Sequence, residues 1–389
     1  MKAIAPWEAC SDLYREQFVR GGTFDSGLFD WIIQRMIRGR GRVEDFHEMY
    51  RRSRVMNAYW ADKRVDFSRI DIPTFITASY ASFVHTMGSI RGFMELPESV
   101  PKWLKINPWQ EWYDLWACPE SSDELAAFFD HYLKDIDNGF VKDTPRVRTT
   151  VLQYGLEDPL YNIAENEYPL ARTVYRDLHL GAEQSLNFEP ISASSSVEHE
   201  SAGTATSVFN YKFDTATRLV GLPKAILYMS CPGSDDMTVY VSIRKLDVNG
   251  RAMVALNIPW SRAQAKSFEE TDPKDHSNLL FSTGFMGILR ASHREVDEKR
   301  SMHPQYPYHP HSKEAKVGPD EIVKMEIGIW AMGADYQAGE SIQLQVSGSY
   351  PLLQEFEGVD HEEKQDGNRG KHVVHFGGDY PSRLILPFV

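Results

Sequence analysis

The side chains able to do chemistry in this sequence are few and scattered. His303, His309 and His311 crowd a proline-rich stretch, and His309-Pro310-His311 resembles half of a metal site. Zinc takes thiolate, imidazole or carboxylate ligands at short, regular spacings, and no Cys or carboxylate partners these histidines in that way. A proline-stiffened loop is the expectation, with no metal. Cys10, Cys118 and Cys231 are odd in number, far apart and outside any C-x-x-C. They read as isolated thiols of a reducing compartment, so a cytoplasmic location is expected. A serine nucleophile on a strand-to-helix turn needs G-x-S-x-G, and none occurs in the 389 residues. The nearest imitation, Gly348-Ser349-Tyr350-Pro351, has no helical pattern behind it and reads as a turn. Tyr80, Trp109, Trp112, Tyr113 and Trp116 form a dense aromatic set that either lines an apolar pocket or simply packs.

Composition narrows the class. Lys and Arg number 42 against 55 Asp and Glu, a net charge of −13. Nucleic-acid affinity rests on basic surface, so that partner is excluded. No apolar run reaches the roughly 18 residues that span a bilayer, so no membrane is expected.

The elements that must position these side chains come in two textures. Lys2–Trp7 (KAIAPW) reads as a two-sided, buried parallel strand, whose partner strand is expected to lie outside the sequence. Pro73–Ala78 and Trp103–Ile106 are the next two strand candidates. Phe83 to Leu96 and Asp123 to Leu133 have helical period, and Phe46, Met49 and Tyr50 share a helix face. This order is that of an α/β sheet, with a helical insertion over about 11–66. From about Tyr168 the segments turn short and alternating: Tyr175–Leu180, Ser207–Phe213, Ala225–Met229, Thr238–Leu246, Met253–Ile258, Ile322–Trp330 and Ile342–Ser347. The Asp247…Asn249-Gly250 turn adds a hairpin signal. An antiparallel sandwich of jelly-roll type is predicted there, with 189–206 as a loop. The fold class is therefore α/β plus all-β, divided as 1–165 and 166–389. A three-stranded sheet leaves an edge that a homo-oligomer would cover.

Longer stretches carry a resemblance. KAIAPWEACSDLYRE, IDIPTFITASYASFVHTMGSIRGF, KWLKINPWQEW and GLPKAILYMSCPGSDDMTVYVSIRKLDVNGR resemble, in order, segments of the cocaine esterase and X-Pro dipeptidyl-peptidase family of serine hydrolases. The family implies a partial α/β-hydrolase sheet with a helical cap insertion, a jelly-roll sandwich, no cofactor, and a small ester, amide or short peptide as substrate. It also implies a Ser–Asp–His triad whose serine is expected upstream of Met1, so that the chain by itself is expected to be inactive as a serine hydrolase. The acid position falls at Ala81 or Ser82, and the base position, in Asn107-Pro108-Trp109-Gln110-Glu111, falls at Glu111. The chain therefore departs from the pattern at both places. His85, just past the second strand, and Glu111 could refill the roles as a swapped His–Glu pair. The plainer alternative makes His85 a hydrogen-bonding group at a helix start and Glu111 a solvated loop carboxylate. Tyr80, Trp109 and Trp112 are the expected pocket walls.

Overall fold

The computed structural model describes residues 1–37, 39–82, 84–263, 281–319, 321–351 and 368–389. Its opening segment does run beside a strand. Ile4 bridges Thr74 in parallel, donating to Pro73 O (3.0 Å) and accepting from Phe75 N (3.0 Å). A hairpin follows, β1 (Val19–Arg20) and β2 (Thr23–Phe24), then the short helices α1 (Leu28–Trp31), α2 (Phe46–Arg52) and α3 (Ala58–Ala61). Tyr14, Phe18, Phe24, Phe46, Tyr50 and Trp60 give this insertion a core of its own, with Phe18 and Phe46 stacked at 4.1 Å. The turn between β1 and β2 presses against the sandwich. A Cβ on Gly21 (φ +58) would lie 2.2 Å from Ile288 O, and Gly21 O accepts from Arg290 N at 2.7 Å. Only glycine fits that approach.

The sheet holds β3 (Thr74–Ser79), β4 (Lys102–Asn107), β5 (Val147–Val151) and β6 (Leu160–Glu165), in that order, with β6 antiparallel. Between them lie α4 (Thr86–Glu95), α5 (Glu111–Ala117), α6 (Pro119–Lys134) and α7 (Phe140–Asp143). The three-strand expectation was too short. The β-branched run Val147, Thr149, Thr150 and Val151 is a strand signal that a texture boundary at Tyr168 passes over. Phe83, expected to open the helix, lies outside the described residues, and α4 starts at Thr86.

Among the described residues, thirteen further strands form one hydrogen-bonded network, almost wholly antiparallel. Thr238–Leu246 lies between Phe285–Arg290 and Ser341–Ser347. Lys224–Ser230 has Val323–Gly328 on one edge and both Lys371–Phe376 and Arg383–Phe388 on the other. The Asp247 turn forms as predicted, with Asp247 Oδ1 accepting from Asn249 N and Arg251 N (2.8 Å each). The expected loop over 189–206 contains the strand Ser195–Glu200, paired with Lys371–Phe376. Its Ser and Glu residues are exposed and the buried position is a histidine, so no apolar alternation marks it. One core runs through both parts, from Ile76 and Leu104 of the sheet and Ile90 of α4 to Leu227, Val241 and Leu344 of the sandwich.

Candidate active site

In parallel strands all chain ends of one kind lie together, and the loops there are where α/β sheets bind ligands. Ser79 pairs with Asn107 across β3 and β4, and Thr77 N reaches Pro6 O (3.3 Å), so three connections leave from one end. They carry Glu8–Cys10, Tyr80–His85 and Pro108–Glu111. Ser79 Oγ accepts from Ala81 N (3.0 Å), and Thr86 Oγ1 donates to Ser79 O (2.5 Å), which tightens the turn into α4.

The structure brings the acid and base positions together. Ser82 Oγ accepts from His85 N (3.3 Å) and from Gln110 Nε2 (3.4 Å), so the two loops are joined through the residue next to Glu111. Gln110 also hydrogen-bonds the Glu8 carboxyl, whose pKa burial nevertheless raises. Glu8 has φ +60, a left-handed backbone that costs strain for a non-glycine residue.

Glu111 is not a solvated loop carboxylate. It opens α5, is fully buried, and neither carboxyl oxygen has a partner of good hydrogen-bond geometry. Burial raises its pKa well above the usual 4.5, and the Glu8 and Asp114 carboxyls push the same way. Main-chain groups of Glu111 and Ser79 ease the charge without offsetting the desolvation. Burial and both neighbouring carboxyls thus favour the protonated, neutral form of the Glu111 carboxyl over the charged one. Beside it, Asn107 is equally enclosed, and neither polar atom of its side chain has a partner among the described residues.

His85 points instead towards the Glu8–Cys10 segment. His85 Nδ1 faces Cys10 Sγ at 3.6 Å, and its ring also hydrogen-bonds the Ala9 main chain. Burial, with the nearby Arg20 charge, lowers its pKa to about 4. Cys10 accepts from Gln17 Nε2 (3.3 Å), and burial with the Glu16 charge raises its thiol to about 12. An imidazole that weak cannot hold a proton that the thiol releases so late, so Cys10–His85 rests as a neutral pair.

The expected pocket walls divide. Tyr80 is a correction: it sits 3% exposed in the shared core, its hydroxyl 3.3 Å from Thr149 Oγ1 and its ring against Gly333 and Phe285. Alternation along β3 turns it to the sandwich face. Trp109 lines a cavity of about 430 Å³ between α6, β4 and β5. Trp112 packs on Tyr113 and Trp116 along α5 and lines none of the described cavities around Trp109. Glu8, Cys10 and Gln110 were missed by the sequence reading. The available signal was their place directly after parallel strands.

The histidine-rich loop has structural work. His309 faces Glu295 O (2.9 Å) and Glu326 O (3.1 Å), while His311 Nδ1 meets His293 Nδ1 at 3.0 Å. Among the described residues no three His, Cys, Asp or Glu side chains are grouped to hold a metal ion. Cys10, Cys118 and Cys231 are free thiols. Among the described residues no helix is long and apolar enough to cross a membrane.

Comparisons with known proteins agree with this architecture. The family model for the X-Pro dipeptidyl-peptidase C-terminal non-catalytic domain matches residues 138–385, which takes in β5 and β6. A crystal structure of a CocE/NonD family hydrolase from Staphylococcus aureus is similar at 30% identity and a TM-score of 0.87, covering 100% of this chain and 68% of its own. An α-amino acid ester hydrolase (16% identity, TM-score 0.71, covering 100% of this chain and 73% of its own) shares the fold. So does an aminopeptidase from the marine sediment archaeon Thaumarchaeota archaeon (15%, 0.67, 100% and 72%). A search of curated proteins found no match.

Proposed function

Since the chain belongs to the CocE/NonD family of hydrolases, we propose that it carries an ester- or amide-hydrolase site remodelled so that a neutral carboxyl occupies the base's place. In this reading residues 1–165 form the hydrolase part, with a cap at about 11–66, and 166–389 form a jelly-roll unit. The substrate is a small ester, an amide or a short peptide, and the three unpaired thiols support a cytoplasmic setting.

One observation carries the reading: Ser82 and Glu111, at the family's acid and base positions, are joined by Gln110 in a closed polar cluster. Serine hydrolysis needs a group that takes the hydroxyl proton as the acyl bond forms, and an acid that orients it. Burial favours the protonated form of Glu111, in which it donates a hydrogen bond to a carbonyl oxygen and has no room for the nucleophile's proton. His85, the other candidate base, is tied to Cys10 and titrates near 4. Both facts also favour a second reading, a relative that binds acyl compounds in this pocket without turning them over.

The purified chain is accordingly expected to show no turnover of p-nitrophenyl esters or X-Pro amides that a serine-directed phosphonate can block. Phosphonate-sensitive turnover, lost on Ser82→Ala or Glu111→Gln, would contradict the remodelled site.

A further inference from the structure

The cavity of about 430 Å³ that Trp109 lines is separate from the polar cluster at the strand ends, and its floor has unusual electrostatics. Lys105 and Arg148 are direct partners across β4 and β5, so two cations stand side by side on one sheet face, only 5% and 9% exposed. Like charges so placed repel, and desolvation adds to the cost. Acceptors from the two helices compensate them. Lys105 Nζ reaches Asp114 Oδ2 (3.2 Å), Ser121 Oγ (2.8 Å) and Glu124 Oε2 (3.4 Å), and Arg148 Nη2 lies 2.5 Å from Glu124 Oε1.

The balance is incomplete on one side only. Asp114 and Glu124 are fully engaged, whereas Arg148 Nε is buried with no acceptor among the described residues. Glu120 also lines the cavity but is exposed to solvent, so the buried Arg148 Nε is the group left wanting an acceptor. The remaining wall is aromatic: Trp109 and Tyr161 face each other at 6.0 Å with their rings tilted by 50°. A flat apolar body fits against such rings, and the volume is of the size that small-ligand sites have.

We propose that this cavity binds a small aromatic carboxylate, its carboxyl group on Arg148 and its ring against Trp109 and Tyr161. The buried guanidinium supplies the planar, charge-assisted donor edge that carboxylates select. The inference does not rest on the hydrolase reading, since none of these residues belongs to the Glu8–Ser82–Gln110–Glu111 cluster.

Isothermal titration of the full chain with benzoate, benzamide and inorganic phosphate tests it. Benzoate is expected to bind saturably, with at least tenfold weaker binding for benzamide and none measurable for phosphate. Arg148→Met, which keeps the apolar stem, and Tyr161→Ala, at a half-exposed position, should each weaken benzoate at least tenfold. Circular dichroism confirms that each variant is folded, and Tyr161→Ala remains decisive should Arg148→Met not be. Benzoate binding unchanged in Tyr161→Ala, absent altogether, or matched by phosphate would overturn the proposal.

Discussion

Replacing Glu16 by Ala is expected to lower the stability of the whole chain by about 3–5 kcal/mol, the usual consequence of stranding one partner of a buried ion pair. Glu16 Oε1 sits 2.6 Å from Arg91 Nε, and the two side chains are 3% and 4% exposed. Its other oxygen accepts from Ser11 N and Asp12 N at 2.9 Å each. Alanine would therefore orphan two amides and take from the guanidinium its closest carboxylate, leaving it Glu95 (3.1 Å). The pair also ties the insertion to α4. A Cβ on Gly88 would stand 2.4 Å from Ala9 O, so backbone and helix are already in contact there. Urea unfolding of Glu16→Ala, Arg91→Met and the double variant measures the effect. The double variant should be less destabilised than the two single changes added together, because it strands no charge. A loss below 1 kcal/mol in Glu16→Ala would refute the assignment.

Acid should weaken the fold well before its carboxylates are protonated. Burial lowers the pKa of His85 and His293 to about 4 and of His372 to about 3. In the unfolded chain these rings bind protons near 6.5. Between those limits the unfolded state holds more protons, so stability falls as pH falls from about 6.5 towards 4. Each fully coupled histidine contributes about 2 kcal/mol of loss between pH 7 and pH 5. Glu111 acts in the opposite sense. Its raised pKa costs stability as pH climbs above 4.5, so acidification relieves that cost while the histidines lose theirs. His372, 1% exposed and edge-on to the His199 ring, is the cleanest test. Stability curves at pH 7 and pH 5 should converge by about 2 kcal/mol more in His372→Phe than in the parent. An unchanged pH dependence in the variant would place the acid lability elsewhere.

Much of the architecture was legible because it rests on patterns that burial imposes. Thr74–Ser79 and Lys102–Asn107 are buried at every position, and both read as apolar parallel strands. Thr238–Leu246 and Ser341–Ser347 likewise announced themselves by β-branched content. The strands that escaped notice lack that signature. Ser195–Glu200 is an exposed edge, and Leu160–Glu165 has no buried position. In the site, sequence order put His85 and Glu111 on the correct loops but said nothing of reach. That His85 meets Cys10, and that Glu111 turns inward at the start of α5, depend on the angle at which each loop leaves its strand. Tyr80 shows the same limit: its face is fixed by the alternation of β3, and only the sandwich behind it reveals that this face is packed.

The claim on which the functional reading stands is the protonation state of Glu111. Carbon NMR of protein labelled at the glutamate side-chain carboxyls, titrated around neutral pH, reads it directly. One carboxyl should remain protonated at pH 7, and its signal should vanish in Glu111→Gln. A spectrum in which every glutamate has titrated near 4.5 would mean that Glu111 is an ordinary carboxylate able to accept a proton.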